Sequence, residues 1–395
     1  RRVDVLLIGG GIASASAAAE LRAQGFDGSI ALVTRELEPP YRRPPITKDY
    51  LQGRSTRGDA HVHSRDWYDE HGVELLTRTS VMALDPGART VTLQSKEELA
   101  YGQALLATGA MVRRLAVDGA QLDGIHYLRA LGNADALRRD AEGAERVAIV
   151  GGSYIATEVA ASLASLGRRC TIVMQEQVVL ERSFGAEAGR FFHELLESRG
   201  VEIVAGESGA AFEGENGRVA AVVCEGGRRI PADVVVAGVG AAPDVMLARR
   251  AGLELGASGG VRCDSRLRTS ADGLWAAGDM CEYESVLHGR RLRIEHEDVA
   301  AEQGRTAARN MLGADEPHAA VPYFFSDLAD WASLEYVGPA DAWDEVETRG
   351  SKDDASFSFW YLSGGRPVAV LAVNRPEDLE EGRRALAGAL TEKAR

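Results

Sequence analysis

Cysteine, positive charge and long apolar runs are what this chain has least of. Its 395 residues hold four cysteines, Cys170, Cys224, Cys263 and Cys281. They are scattered without a paired spacing, which excludes a disulfide framework and a cysteine zinc site. Reduced thiols in a cytoplasmic protein are the expectation. The 45 Lys and Arg are outnumbered by 59 Asp and Glu, for a formal net charge of −14. That balance argues against nucleic acid or an anionic membrane surface as the main partner, since both need a positive footprint. No stretch approaches the ~18 apolar residues that a membrane span requires. His61 and His63 flank Val62 and are expected on one face of a surface strand. No further ligand set accompanies them, so no metal site is expected.

Glycine, by contrast, is abundant. Forty-four glycines occur in a chain that is 45% hydrophobic and 26% charged, the composition of packed globular protein, and the length suits two or three domains. Many of the glycines fall where a strand gives way to a helix. An apolar strand, Val3 to Ile8, runs into Gly9-Gly10-Gly11-Ile12-Ala13-Ser14 and an Ala-rich helix to about Gln24. Gly25 follows, then a strand over Ser29–Val33. The same order returns at Arg146–Val150, Gly151-Gly152-Ser153-Tyr154-Ile155-Ala156, a helix to Leu166, Gly167 and a strand over Cys170–Met174. Further apolar strands lead into Gly238-Val239-Gly240 and into Gly278-Asp279, and a helix is expected from about Asp298 to Leu312. After Pro317 the texture changes. Ser356–Leu362 and Val368–Val373, joined by Ser363-Gly364-Gly365, predict an antiparallel hairpin, with a charged helix from Pro376.

A strand–glycine–helix junction suits a pyrophosphate, because the helix N-terminus offers free N–H groups and a positive dipole end. The first glycine makes the turn, the second admits the phosphate and the third lets helix and strand pack. In the first copy these positions are Gly9, Gly11 and Ser14; in the second they are Gly151, Ser153 and Ala156. A ribose-binding carboxylate is expected ~20 residues further on. In the second copy that position is Met174, with Glu176 two residues later, and no Lys or Arg lies between Thr171 and Glu181 to grip a 2′-phosphate. NADH is therefore favoured over NADPH. In the first copy the position holds Arg35, expected to point to solvent, with Glu36 serving the ribose.

Together these segments resemble the FAD-dependent pyridine-nucleotide oxidoreductases, in the ferredoxin-reductase and apoptosis-inducing-factor branch, over nearly the whole chain. Beyond the glycine turns the resemblance rests on Tyr41-Arg42-Arg43-Pro44-Pro45-Ile46-Thr47-Lys48, Ala107-Thr108-Gly109 and Ala276-Ala277-Gly278-Asp279. It rests also on Arg293-Ile294-Glu295-His296-Glu297-Asp298 and Pro322-Tyr323-Phe324-Phe325-Ser326-Asp327. It implies an α/β fold of the glutathione-reductase kind, with two Rossmann-like dinucleotide-binding domains and a C-terminal α+β interface domain. The implied boundaries are 1–111 with 239–319 for FAD, 112–238 for NADH, and 320–395.

The FAD contacts the resemblance implies are Gly9, Gly11, Ile12, Ala13, Ser14, Arg35, Glu36, Arg43, Lys48, Val81 and the run Ala107, Thr108 and Gly109. To these it adds Arg129, Gly278, Asp279 and His296, with Glu297 and Phe325 near the flavin ring. For NADH it implies Gly151, Gly152, Ser153, Tyr154, Ile155, Glu158, Glu176, Gly238 and Gly240. Three of these are the implied catalytic groups: Lys48 beside the flavin N5, Glu158 pairing with it, and Tyr154 covering the ring until nicotinamide displaces it. Glu297 and Phe325 stand where many ferredoxin reductases have Trp. A carboxylate at Glu297 is open to two roles, proton transfer or pairing with a nearby Arg or Lys.

Disulfide reductases of this fold place a reactive cysteine pair after the second strand of the FAD domain. Here that region is Arg43–Leu51, and no cysteine precedes Cys170. Electrons are therefore expected to leave the flavin directly for an external acceptor. A ferredoxin-type partner comes first, docking on Arg42, Arg54, Arg57, Arg290 and Arg291. Reduction of quinone or oxygen, and a slow redox-sensing flavoprotein, are the alternatives, in a protein acting as monomer or homodimer.

Overall fold

A computed structural model describes residues 1–393, with side chains to residue 388. The first sheet includes three strands the sequence predicts, Arg2–Ile8, Ile30–Val33 and Leu274–Ala276. In order it runs Val73–Leu76, Ile30–Val33, Arg2–Ile8 and Glu98–Leu106, all parallel, with Leu274–Ala276 also parallel to the last. Thr90–Leu93 and Val81–Asp85 extend it as an antiparallel edge. All four residues of Ile30–Val33 are buried, as expected of a parallel strand covered on both faces. The glycine helix, Ile12–Ala23, packs against Glu297–Met311. Gly304 makes that approach possible, since a Cβ there would stand 2.2 Å from the Ala13 carbonyl oxygen.

The second sheet repeats the pattern in the order Glu202–Val204, Arg169–Val173, Arg146–Val150, Val234–Ala237 and Ile125–His126, all parallel. An antiparallel trio, Gly209–Glu215, Arg218–Cys224 and Arg229–Pro231, lies beside it. Outgoing and returning chains between the two sheets pair with each other, Ala110–Val112 against Ala241–Pro243. That short ribbon joins the units built on the two sheets.

The final unit is an antiparallel sheet ordered Tyr323–Leu328, Ala332–Val337, Arg366–Val373, Ser356–Ser363 and Glu345–Ser351. One face is covered by the helix Pro376–Lys393, through Leu379 and Leu386 against Val337, Trp360 and Val370. The opposite face sends Phe357, Phe359 and Leu371 into one core with Phe184 and Phe192 of the helix Glu181–Ser198. The predicted hairpin over 356–373 is the centre of this sheet. Its strand Tyr323–Leu328 reaches back to the first unit and forms part of the cavity described next.

Candidate functional site

A cavity of about 960 Å³ opens where the three units meet. That is near the top of the ~300–1,000 Å³ range of small-molecule and cofactor pockets. At one end it is floored by the first glycine turn. Gly9 has φ +134°, and a Cβ on it would collide with the Ala107 carbonyl oxygen at 2.0 Å, so only glycine fits. Gly11 is the opposite case: a Cβ there would meet nothing within 4 Å. The space beside Gly11 is therefore open, directly over the N-terminus of Ile12–Ala23, whose first N–H groups have no partner within the helix. That cradle, with its dipole end, fits a pyrophosphate.

Glu36 lines the same cavity. The Tyr41 hydroxyl donates to its Oε2 at 2.5 Å, and Arg43 forms an ion pair with its other oxygen. Burial pushes the Glu36 carboxyl up, but Arg43 and Tyr41 outweigh it and hold the group below its ordinary range. Arg35 also borders the cavity, yet its side chain is 60% exposed and reaches Asp244 at 3.4 Å. Val81, Ala107, Thr108, Gly109, Gly278 and Asp279 complete this end. Asp279 accepts from Arg129 Nη2 at 2.9 Å, and Arg43 Nη1 donates to the Arg129 carbonyl at 2.8 Å, so one chain of contacts ties these residues together.

The other end centres on Lys48. Its ammonium lies 3.5 Å from Glu158 Oε1, 3.1 Å from Asp327 Oδ2 and 4.1 Å from the centroid of the Phe325 ring. Both Lys48 and Glu158 are buried. Thr47 and Ser326 donate their hydroxyls to the two Glu158 oxygens at 2.6 and 2.5 Å. Burial drives the Glu158 carboxyl above its ordinary range, against the pull of Lys48 and the two hydroxyls. Tyr154 borders the cavity with its ring 4.4 Å from Phe324 and 5.7 Å from Phe184. Burial raises its phenol to about 12. Of the candidate nicotinamide-side residues, Ser153, Tyr154, Ile155, Glu158 and Gly240 line this cavity.

Several expectations are corrected by the geometry. Ser14 is fully buried inside its helix, where the third turn position packs and does not line. His296 is absent from the cavity lining; its ring lies 4.9 Å from Phe324, and burial lowers its pKa to about 4. Arg42 Nε donates to Glu297 Oε1 at 2.7 Å, which favours ion pairing over proton transfer, although Oε2 is buried without a partner. Burial, and then Glu302, raises the neighbouring Asp298 carboxyl.

His61 and His63 do not share a strand face. His61 follows the short helix Arg57–Ala60 and bonds Glu38, while His63 stacks on Trp67 at 4.0 Å. Nor do the five arginines form a bare positive face. Arg42, Arg57, Arg290 and Arg291 sit in ion pairs with Glu297, Glu38, Asp341 and Glu284, and Arg54 is exposed. In so acidic a chain four of the five arginines find a carboxylate partner.

The second glycine turn lies apart from the cavity floor. Gly151 has φ +117°, and a Cβ would come 2.4 Å from the Gly238 carbonyl oxygen, the counterpart of Gly9 against Ala107. Ser153 donates its hydroxyl to that same carbonyl at 3.3 Å. Gly151, Gly152, Gly238 and Glu176 do not line the large cavity. Met174 is only 2% exposed, its sulfur 2.7 Å from where a Gly152 Cβ would be. It is a packing residue and leaves the strand-end position to Glu176. The expectation that no cation stands nearby fails too, for Arg182 Nε forms an ion pair with Glu176.

Among the described residues no group of His, Cys, Asp and Glu could hold a metal, and no helix is long and apolar enough to cross a membrane. All four cysteines are free and buried.

Comparison with known proteins agrees with this architecture. Residues 3–304 match the family model of pyridine nucleotide-disulphide oxidoreductases, and residues 323–394 match that of the reductase C-terminal domain. The chain is 37% identical over 387 residues to the ferredoxin reductase subunit of a 5,5′-dehydrodivanillate O-demethylase from Sphingobium sp., covering 96% of this chain and 92% of that protein. It is 35% identical over 386 residues to the ferredoxin–NAD(+) reductase component of an anthranilate 1,2-dioxygenase system from Burkholderia cepacia, covering 97% and 93%. Among solved structures it superposes on a covalent putidaredoxin reductase–putidaredoxin complex with a TM-score of 0.93 at 33% identity, over 98% of this chain and 93% of that one.

Proposed function

The chain belongs to the pyridine nucleotide-disulphide oxidoreductase family, and from that premise we propose that it is a cytoplasmic FAD-dependent NADH reductase serving a ferredoxin-type iron–sulfur protein of an oxygenase system. The observation that carries the reading is Lys48, buried at the end of the cavity between Glu158 and Asp327. FAD supplies a ring that takes two electrons as a hydride and gives them up singly. The chain does the rest. Gly9, Gly11, Ile12 and Ala13 would hold the pyrophosphate by backbone N–H groups, Glu36 would take the adenosine ribose, and Asp279 the ribityl chain. Val81 would meet the adenine through its backbone, while Arg43 and Arg129 keep the two carboxylates in place.

Lys48 presents a positive charge where reduction adds electron density, a stabilisation worth most in a site away from water. Glu158 keeps that ammonium oriented. Tyr154, at the cavity edge beside Phe324, would shield the flavin end of the site, and Gly151, Gly152, Ser153 and Glu176 would hold the rest of NADH. No thiol stands within this arrangement, since all four cysteines lie in strands or buried cores elsewhere, so the acceptor is external to the chain.

Anaerobic titration with NADH and NADPH, followed by reoxidation with a ferredoxin, a quinone or air, tests the reading. Stoichiometric bleaching by NADH and fast, salt-sensitive reoxidation by ferredoxin are expected. Preferential reoxidation by quinone or air would replace the ferredoxin assignment with an oxidase.

A further inference from the structure

Lys48 is held by two carboxylates, and they differ in their access to water. Glu158, on the helix Tyr154–Ser165, is sealed. Its side chain is 7% exposed, and its two oxygens already accept hydroxyls, from Thr47 and Ser326. Asp327, on the strand Tyr323–Leu328, is 35% exposed. Lys48 Nζ donates to its Oδ2 at 3.1 Å, against 3.5 Å to Glu158, so the shorter contact leads outward. The other Asp327 oxygen accepts from the hydroxyl of Ser333, an exposed residue paired with it across the hairpin. Phe325 and Asp327 lie two residues apart on one strand face, and the ammonium rests against both. Lys48 and Phe325 line the cavity, and Asp327 does not. The ammonium therefore stands in the cavity wall, with the site on one side and a partly exposed carboxylate on the other.

The chemistry needs such a passage. When NADH is oxidised and the acceptor takes only electrons, one proton per NADH stays behind and must reach water. An ammonium carries three N–H donors on a single atom, so it can face a proton source and a proton acceptor at once. Resting on the ferredoxin reading above, we propose that Lys48 and Asp327 form the proton exit of this site. Lys48 Nζ gives one proton to Asp327 Oδ2 as it takes one from the ring side, and Asp327 releases its proton to solvent. The ammonium ends as it began, Asp327 returns to carboxylate, and no electron moves along the route. Lys48 is the group at the reacting atoms. Asp327 acts through it as a relay, held in place by Ser333. Glu158, closed in by hydroxyls and pushed by burial towards its protonated form, orients the ammonium and offers no way out.

Exchange of the Lys48 ammonium protons with water, measured by NMR on the FAD-loaded oxidised protein, reads the route without any turnover. The chain has four lysines, Lys48, Lys96, Lys352 and Lys393, so isotopic labelling of the lysine nitrogens gives few enough signals to assign each by substitution. Asp327→Asn should slow the Lys48 exchange by about a hundredfold, the low end for a positioned proton-transfer group. Asp327→Glu should restore most of it. A pH-indicator dye then follows proton release as NADH-reduced protein is reoxidised by ferricyanide, a small one-electron acceptor. That release should slow in Asp327→Asn and recover in Asp327→Glu. Exchange that is unchanged in Asp327→Asn, or that slows only in Glu158→Gln, overturns the exit. Wild-type protein that is reoxidised by quinone and not by ferredoxin overturns the ferredoxin reading instead, and the exchange result stands apart from it.

Discussion

The two glycine turns share one backbone solution and differ in everything built around it. Gly9 and Gly151 each turn under a carbonyl oxygen too close for a side chain. Beyond that point the first half encloses its site: Glu36 is clamped by Tyr41 and Arg43, and the open space over Gly11 is walled by the other two units. The second half leaves its site on the rim. Its carboxylate is held by one exposed arginine, and its turn carries Ser153 where the first has Gly11. A site built to keep its ligand and a site built to exchange it are the lesson of the difference. A resident flavin needs the first and a diffusing coenzyme the second.

The sharpest way to break that comparison is to replace the two glycines separately. Gly9→Ala forces a methyl against Ala107 at positive φ, a clash and a strain worth several kcal/mol. It should yield protein lacking flavin absorbance, with a much lower Tm. Gly151→Ala makes the same clash with Gly238, yet it should keep its flavin while losing coenzyme-driven bleaching. Equal flavin loss in both variants would show that the halves do not act separately.

Acid separates the halves next. His296 and His318 flank the helix Glu297–Met311 of the first half, and burial lowers both to about 4 from 6.5. Groups kept neutral in the fold cost stability once the unfolded chain binds protons, so their contribution is intact above pH 6.5 and is lost as pH falls towards 4. For His318, which is 2% exposed, that loss amounts to about 3 kcal/mol. The neutral variant His318→Gln should flatten the decline of Tm between pH 6.5 and 4. A decline as steep as that of wild type would exclude His318 as its source.

How far the site could be read in advance follows the same division. Gly9 and Gly151 were legible because backbone geometry leaves one residue type for the place. Local pattern also gave the strands around them and the hairpin over 356–373. Glu176 was legible as the second carboxylate candidate, but Arg182 was passed over, because the sequence offers no sign that Leu180 is tied to Gly152 and so brings Arg182 back to Glu176. Thr47 and Ser326 lie in motifs visible in the chain, but they reach Glu158 from 111 and 168 residues away. Their convergence is a property of the packed fold. Asp327, the second carboxylate on Lys48, went unassigned for the same reason, and the antiparallel trio over 209–231 was not read at all.

Lys48 stands where the halves meet, and removing it tests whether they are coupled there. Lys48→Ala should leave flavin bound, because the clamp on Glu36 is untouched. Reduction by NADH should slow by roughly a hundredfold, the usual cost of losing one group aimed at developing charge. Stopped-flow bleaching of the flavin absorbance measures it. An unchanged rate would remove Lys48 from the chemistry and leave it a structural ion.

The smallest effect addresses retention itself. Tyr41 is 1% exposed, and its hydroxyl is shared between Glu36 and Arg43. Tyr41→Phe keeps the ring and the ion pair and removes one hydrogen bond, a change of about 1 kcal/mol. Flavin should then leave about fivefold faster when the protein is diluted into an apoflavodoxin trap, while ADP binding at the second turn stays as it was. If flavin release is unaltered, the clamp on Glu36 is not what distinguishes the resident site from the exchanging one. Enclosure of the open space over Gly11 by the three units would then be the physical difference between them.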